Sequence, residues 1–213
     1  LGMVVFGWQA GTVFILYWIE NAIIGLATLL MILTARGQSI PGQELSINGR
    51  PVQGRGAGLT ALFFCFHYGI FCTVHLVFTV LVARRLGVDP PAVLVIPIAL
   101  LLVRWMVEVA STWFASGERD RTAPSQVMGR PYPRIIVLHF AVIACFTLFV
   151  VGDREALGIL DRARSMLAPL FARFGVDLSD GVVAVIILSL VKLVVDLVLT
   201  RRAVQRSGQS GTR

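Results

Sequence analysis

The stretch that decides the fold is Gly11–Thr34, GTVFILYWIENAIIGLATLLMILT, in which Glu20 is the only charged residue. A helix of these residues, at about 1.5 Å per residue, is long enough to cross the roughly 30 Å hydrocarbon core of a bilayer. The whole chain is 56% hydrophobic and 15% charged, whereas a soluble domain carries about a quarter charged residues. The sequence therefore predicts an integral membrane protein.

Four more apolar stretches follow this segment, and the five predicted spans are 11–34, 57–83, 91–115, 135–152 and 182–200. Between the last two, leucine and phenylalanine recur at helical spacing over 153–180, which predicts one or two interfacial helices broken near Pro169. The predicted fold is an all-α, polytopic transmembrane helical bundle of about five spans plus short interfacial helices. It forms a single transmembrane domain over 1–213.

The connecting segments carry local signals. The polar loop 35–56 has room for a small hairpin around Asn48-Gly49. Asp89, followed by two prolines, predicts a capped start of the third helix. Residues 1–6 are apolar but too short to span, and we interpret them as the end of a preceding helix or a short interfacial entry.

Charge predicts the orientation. The net charge is +7, and 18 of the 19 basic residues are arginine. Eleven arginines lie in loop 35–56, loop 116–134 and the C-terminal tail, against six on the other side. The positive-inside rule makes the first three segments, with the C-terminus, cytoplasmic in a bacterial inner membrane. Because anionic lipid accounts for these arginines, we expect the lipid bilayer and not nucleic acid as the partner.

The ionisable residues inside the predicted spans are the functional candidates, since charge in hydrocarbon costs roughly 2.5–3.5 kcal/mol each on insertion scales. They are Glu20, His67, His75, Arg104, Glu108, His139, Lys192 and Asp196. Two pairs, Arg104 with Glu108 and Lys192 with Asp196, are four residues apart and can neutralise themselves along one helix. The three cysteines, Cys65, Cys72 and Cys145, lack any CxxC or zinc spacing and are interpreted as small apolar fillers.

Glu20 has no basic residue one turn away on its own helix, so it must be protonated or find a cation or metal on another helix. Depth along the helices puts Glu20 and His67 near the midplane, and we predict a contact between them. The predicted metal or polar site consists of Glu20, His67, His139 and Asp196. The supporting residues are Asn21, Tyr68, His75, Arg104, Glu108 and Lys192.

Spacing limits the cofactors. The chain has no HExxH or ExxH motif, and His67 and His75 are about 12 Å apart along the helix axis. A divalent metal would therefore take single ligands from different helices, and histidine with carboxylate suits zinc or iron. Haem would need two facing histidines, for example His67 and His139. A chlorophyll-type pigment is a further alternative.

Three motifs together resemble a known family. They are Leu16-Tyr17-Trp18-Ile19-Glu20-Asn21 with Gly25, then Phe63-Phe64 with His67-Tyr68-Gly69, Phe71 and His75, and finally Pro131-Tyr132, Arg134 and Leu138-His139, with Glu118 before them and Asp196 in the last span. This combination is similar to an uncharacterised family of bacterial multi-pass membrane proteins that is known only as a domain of unknown function. The resemblance implies a helical membrane fold with the same polar positions, a further apolar stretch before residue 1, and no particular activity.

Three functions remain open. The first is a membrane enzyme or metal-binding protein with its site at Glu20, His67, His139 and Asp196. The second is a non-enzymatic subunit of a larger membrane complex, binding haem or pigment or serving as structure alone. The third is a transporter or proton path using Glu20 and the two charge pairs, against which stands the lack of an internal repeat.

Overall fold

The computed structural model describes residues 7–38, 46–47, 50–51, 56–148, 152, 154–173, 178–186, 188–190 and 193. Its elements are α1 (Ala10–Thr34), β1 (Ser46–Ile47), β2 (Arg50–Pro51), α2 (Gly56–Leu86), α3 (Ala92–Glu108), α4 (Glu118–Arg121), α5 (Pro124–Met128), α6 (Tyr132–Phe146) and α7 (Arg154–Ala172). Helix α3 continues directly into a π-helical segment, Val109–Ala115. Residues 180–186 and 188–190 are also helical.

Three helices are long and apolar enough to cross a membrane, which confirms the predicted helical membrane architecture at this coarser level. They are α1, α2, and α3 with its π-helical segment, of 25, 31 and 24 residues. Their ends agree with the first three predicted spans to within three residues. The largest difference is at the end of α2, which continues through Arg84 and Arg85, because cations in the last turn complement the helix dipole.

The last two predicted spans are not confirmed. The apolar helices described at these positions, Ile135–Phe146 and Asp180–Leu190, are shorter than the three long helices, and the residues around them lie partly outside the described chain. Helix α7 occupies the predicted interfacial region. The predicted break near Pro169 is wrong, since α7 continues to Ala172. Pro169 removes one backbone hydrogen bond in the last part of α7, three residues before the helix ends.

The π-helical segment widens the end of α3 where hydroxyl side chains are concentrated. Ser111 donates to the carbonyl of Val107 at 2.7 Å, and Thr112 donates to the carbonyl of Glu108 at 2.6 Å. Hydroxyls that bond the backbone one turn back compete with the helical ladder and bend helices. Single-turn π segments of this kind are frequent at functional sites.

Small elements fill the loops. Strands β1 and β2 pair antiparallel in the register Ser46 with Pro51 and Ile47 with Arg50, as the Asn48-Gly49 dipeptide predicts. The 116–134 region, expected as a charged loop, contains the short helices α4 and α5. A backbone hydrogen bond links this region to the residues that follow α1. In it, the Arg36 amide donates to the Arg119 carbonyl at 2.8 Å.

The chain forms two compact units. One consists of Ile15–Val77 and Pro90–Tyr132, and the other of Leu1–Phe14, Phe78–Asp89 and Pro133–Arg213. Because each unit combines separate stretches of the chain, no single cut in the sequence separates them. The first unit contains most of α1, α2 and α3.

Within the second unit, the backbone at the start of α1 lies very close to the backbone at the end of α2. A Cβ at Gly11 would collide with the Gly87 carbonyl oxygen and lie 2.6 Å from that of Ala83. The Asp89 carboxylate accepts a hydrogen bond from the Gln9 amide at 2.8 Å. The predicted Asp89 cap of α3 is therefore wrong: this carboxylate binds the residue that precedes α1, and Pro91 at the α3 start has no side-chain cap.

Large apolar side chains cover the outer faces of the three long helices. Examples are Leu26, Phe66 and Ile96, which are 68%, 71% and 71% exposed. A water-soluble monomer rarely exposes contiguous apolar surface on this scale. These helices therefore indicate a lipid bilayer as the surroundings of the chain.

Candidate functional site

Glu20 and Arg104 form an ion pair between α1 and α3 inside the first unit. Arg104 Nη1 lies 3.6 Å from Glu20 Oε1. The Glu20 side chain is 17% exposed and that of Arg104 is 55% exposed. The carboxylate thus has a cation on another helix, one of the alternatives that the sequence left open, and that cation is Arg104. The predicted contact with His67 stays a prediction.

An apolar seam next to the pair fixes its position. Trp105 packs against Ile23 and Ile24 in a buried core, with Ile19 and Leu101 at its edge. One residue before Trp105, the guanidinium carbon of Arg104 lies 5.7 Å from the Trp105 ring centroid, a cation–π geometry. The spacing of Arg104 and Glu108 allowed an ion pair along α3. In the structure the ion pair of Arg104 is with Glu20, and Glu108 has no ion pair among the described residues.

Asn21, the neighbour of Glu20, joins α1 to α2. It is 1% exposed, and its Nδ2 donates to the Tyr17 carbonyl at 2.9 Å. The Tyr68 hydroxyl donates to the Asn21 backbone carbonyl at 2.9 Å. Nearby, Trp18 Nε1 donates to the Cys72 carbonyl at 2.9 Å. These bonds hold α1 against α2 and so set the rotation of α1 that presents Glu20 to α3.

His67 lies in an aromatic cluster on α2. Its ring stacks on Phe63, with the ring centroids 5.5 Å apart, and lies 5.7 Å from the Tyr132 ring. Partial burial raises the pKa of the Tyr132 phenol above its ordinary value. Within the described chain, His67 makes ring contacts and no hydrogen bond. Both imidazole nitrogens are therefore available to a ligand from outside this part of the chain.

The other predicted histidines have different surroundings. His75 is 2% exposed, and its Nδ1 lies 2.6 Å from the Phe71 carbonyl one turn back on α2. An intrahelical hydrogen bond of this kind is the ordinary way to satisfy a buried imidazole. His139 is on α6 in the second unit, where its ring contacts Phe140 edge to face. The remaining predicted residues, Lys192 and Asp196, lie outside the described residues.

A cluster of arginines closes one end of the first unit, and we call it the arginine end. It comprises Arg36, Arg119, Arg121 and Arg130, with the carboxylates of Glu118 and Asp120. Arg130 Nη2 donates to Glu118 Oε1 at 2.6 Å, and its guanidinium carbon lies 5.4 Å from the Trp113 ring centroid. The sequence shows this region only as a charged loop, and no spacing within it signals these contacts.

Trp113 connects the arginine end to the long helices. It is fully buried, and its Nε1 donates to the Thr34 hydroxyl at 2.8 Å. Thr34 is the last residue of α1. The hydrogen bond therefore fixes the end of α1 to the π-helical segment that follows α3.

The described residues hold no group of three or more histidine, cysteine, aspartate or glutamate side chains placed to bind a metal ion. The predicted four-residue set stays a prediction, because Asp196 lies outside the described residues. The charged side chains that the structure does bring together between two long helices are Glu20 and Arg104. A half-exposed guanidinium and a mostly buried carboxylate can bind a polar group from a neighbouring molecule.

Comparison with known proteins gives one result. A family model described as a family of unknown function (DUF6498) matches residues 1–213. No curated protein and no solved structure matches the chain.

Proposed function

We propose that this chain, which belongs to the DUF6498 family of unknown function, is an integral membrane subunit that binds a neighbouring subunit through its intramembrane polar site at Glu20 and Arg104. The observation that carries this proposal is the exposure of Arg104. Its side chain is 55% exposed although it sits halfway along a 24-residue apolar helix.

The depth of Arg104 makes its exposure costly. It is 12 residues after Ala92 and 11 before Ala115, so about 16–18 Å of helix separates it from either end. Long basic side chains reach the interface only from near the ends of a span. In lipid, a guanidinium at this depth therefore needs polar contacts that water cannot supply.

Glu20 meets only part of this need. The distance of 3.6 Å between Arg104 Nη1 and Glu20 Oε1 is longer than that of an ordinary charge-assisted hydrogen bond, about 2.7–2.9 Å. Within the described residues Arg104 donates no hydrogen bond, while a guanidinium carries five N–H donors. The exposed side of Arg104 is thus suited to an acceptor on another membrane helix, such as a carboxylate, a side-chain amide or a free backbone carbonyl.

The surface around Arg104 also favours a protein partner. Leu100, Val103 and Val107 are 64%, 57% and 61% exposed, and they continue the outward face of α3 above and below Arg104. A second helix packed along this face would bury them and bring its acceptor to Arg104. The same proposal places the chain in a bacterial inner membrane with the arginine end and the C-terminus cytoplasmic, as the arginine distribution predicts.

The test is the mass of the assembly extracted from its own membrane in a mild detergent and measured by native mass spectrometry. The double variant Glu20→Gln with Arg104→Met removes both charges and leaves no unpaired charge in the membrane. We expect the wild-type chain to be part of a larger complex and the double variant to be released from it with an unchanged helical circular-dichroism spectrum. Arg84→Met, outside the apolar segment, is the matched control. A wild-type chain that is monomeric, or a complex unaffected by the double variant, would refute the proposal.

The second candidate is the metal or haem site predicted from the sequence, and the surroundings of His67 favour it. Its imidazole makes no hydrogen bond within the described chain and is flanked by aromatic rings, so a ring nitrogen is open to a metal or haem iron. Metal analysis and an absorption spectrum of the purified protein, with and without His67→Ala, test this candidate. A stoichiometric metal or a Soret band that disappears in the variant supports it, and its absence from the wild-type protein rejects it.

A further inference from the structure

An apolar groove runs between α1 and the α3 helix with its π-helical segment. Its volume is about 380 Å³. The lining includes Leu26 and Leu30 on one side and Met106 and Phe114 on the other. An elongated apolar space of this size, open along one side, is suited to an extended hydrocarbon chain.

Small and exposed side chains make the groove accessible from the bilayer. Ala27 and Ala110 line it and leave space where larger residues would close it. Leu26 and Met106 are 68% and 70% exposed, so its mouth faces outward. An occupant would enter sideways from the lipid and would then lie along the helix axes.

One end of the groove meets a guanidinium. Phe114 lines the groove, and the guanidinium carbon of Arg119 lies 5.6 Å from the Phe114 ring centroid. Thr34 and Ala115 end the two apolar helices at this same level, joined by the Trp113 to Thr34 hydrogen bond. Helix ends of this kind lie where the headgroups of a bilayer begin.

The charges at this end do not cancel. The arginine end has four arginines and two carboxylates, a surplus of two positive charges. Asp120 is shared, with Arg119 Nε at 3.6 Å and Arg36 Nη1 at 3.8 Å. Arg121 donates to the Ser116 carbonyl and forms no ion pair among the described residues. An anion at this end would complement the surplus.

We infer that the groove binds one acyl chain of an anionic phospholipid, with the headgroup phosphate held at the arginine end by Arg119. Apolar lining along the helices and positive charge at their end match the two parts of such a lipid in the right order. Arg104 does not line the groove, so this inference is independent of the proposed subunit contact. If either the lipid groove or the subunit contact is refuted, the other is unaffected.

Native mass spectrometry of the full chain in detergent tests this inference, with equimolar phosphatidylglycerol and phosphatidylcholine added. We expect the adduct with one phosphatidylglycerol to exceed that with phosphatidylcholine at least fivefold, since a basic residue near an anionic lipid surface contributes about 1 kcal/mol. Arg119→Gln should lower this ratio about fivefold, the same contribution converted to a ratio. Arg84→Gln, at the end of α2, should leave it unchanged.

Filling the groove separates a seated lipid from a headgroup that merely touches arginines. Ala110→Phe and, as a second variant, Ala27→Leu should each abolish the preference while the helical circular-dichroism spectrum stays the same. Equal adducts of the two lipids on the wild-type chain would overturn the inference, as would a ratio that Arg119→Gln leaves unchanged or a preference that survives both filling variants. Dimers that dissociate on filling the groove would overturn it too, because a second copy would then be the occupant.

Discussion

Gly25 on α1 lies directly beneath the ring of Tyr68 on α2. A Cβ at position 25 would come within 2.5 Å of Tyr68 Cε1 and 3.0 Å of Cδ1. One turn before Gly25, the Tyr68 hydroxyl donates its hydrogen bond to the Asn21 carbonyl. The glycine thus provides the space that the ring must occupy for its hydroxyl to reach α1, and the two contacts act together.

Gly25→Ala should therefore destabilise the fold. The added methyl group must displace the Tyr68 ring, and overpacking of this kind costs about 1–3 kcal/mol. Thermal unfolding in detergent, followed by circular dichroism, measures the loss as a lower Tm. Gly69→Ala is the matched control, because a Cβ at Gly69 has nothing within 4 Å. It should be neutral or stabilising by up to about 1 kcal/mol through helix propensity. Equal Tm values for the two variants would contradict the packing argument.

The Glu20–Arg104 pair should show energetic coupling in a double-mutant cycle. Glu20→Gln and Arg104→Gln each leave one intramembrane charge without its counter-ion, so each should lower stability. The double variant should be more stable than the sum of the two losses predicts, with a coupling of roughly 0.5–3 kcal/mol. The quantity measured is the free energy of unfolding, obtained in mixed micelles that contain increasing amounts of a denaturing detergent.

Glu108→Gln gives the control for this cycle. Glu108 is four residues from Arg104 on the same helix but has no ion pair among the described residues. Combined with Arg104→Gln, it should therefore show no coupling. A coupling larger with Glu108 than with Glu20 would mean that Arg104 pairs along its own helix in the membrane.

Hydropathy predicted the first three helices closely, because a run of apolar residues fixes where a span begins and ends. It could not predict which side chains meet, since that depends on how each helix is rotated about its axis. Depth and adjacency in sequence favoured His67 on α2 as the partner of Glu20, whereas the structure supplies Arg104 from α3. The hydrogen bonds of Trp18 and Asn21 to α2 fix this rotation, and they cannot be deduced from the composition of the segments.

The sequence motifs identified important residues without showing what they do. Asn21, Gly25 and Tyr68 belong to the Trp-Ile-Glu-Asn and His-Tyr-Gly segments, and the structure gives them one packing role. The lipid groove and the arginine end could not be predicted at all. They depend on contacts between Arg119 and Phe114 and between Trp113 and Thr34, the second of which joins positions 79 residues apart.

The Trp113 to Thr34 hydrogen bond should contribute measurably to stability. Thr34→Val removes the acceptor and keeps the shape of the side chain, so the buried indole N–H loses its partner. An unsatisfied buried donor costs about 1–3 kcal/mol. The Tm in detergent should fall accordingly. Thr73→Val, on α2 where the hydroxyl donates to the Gly69 carbonyl of its own helix, should change it little. A Tm as high as that of the wild-type chain would show that Trp113 is held by packing alone.

The orientation of the chain can be tested at two positions on opposite ends of the long helices. Position 50 lies on β2, in the loop between α1 and α2, and position 88 follows α2, where Val88 is 41% exposed. A chain that crosses the membrane with α2 must place these positions on opposite sides. Since arginines are concentrated in cytoplasmic loops, position 50 should be cytoplasmic.

Single cysteines at these positions, in a background without Cys65, Cys72 and Cys145, report their side through a membrane-impermeant maleimide added to intact cells. Val88→Cys should react before lysis, and Arg50→Cys only after lysis. Labelling at 50 alone would reverse the orientation and place the arginine end outside the cell, away from the anionic cytoplasmic leaflet that attracts basic clusters. Labelling at both positions would mean that α2 does not span the membrane, although its 31 residues have ample length to do so.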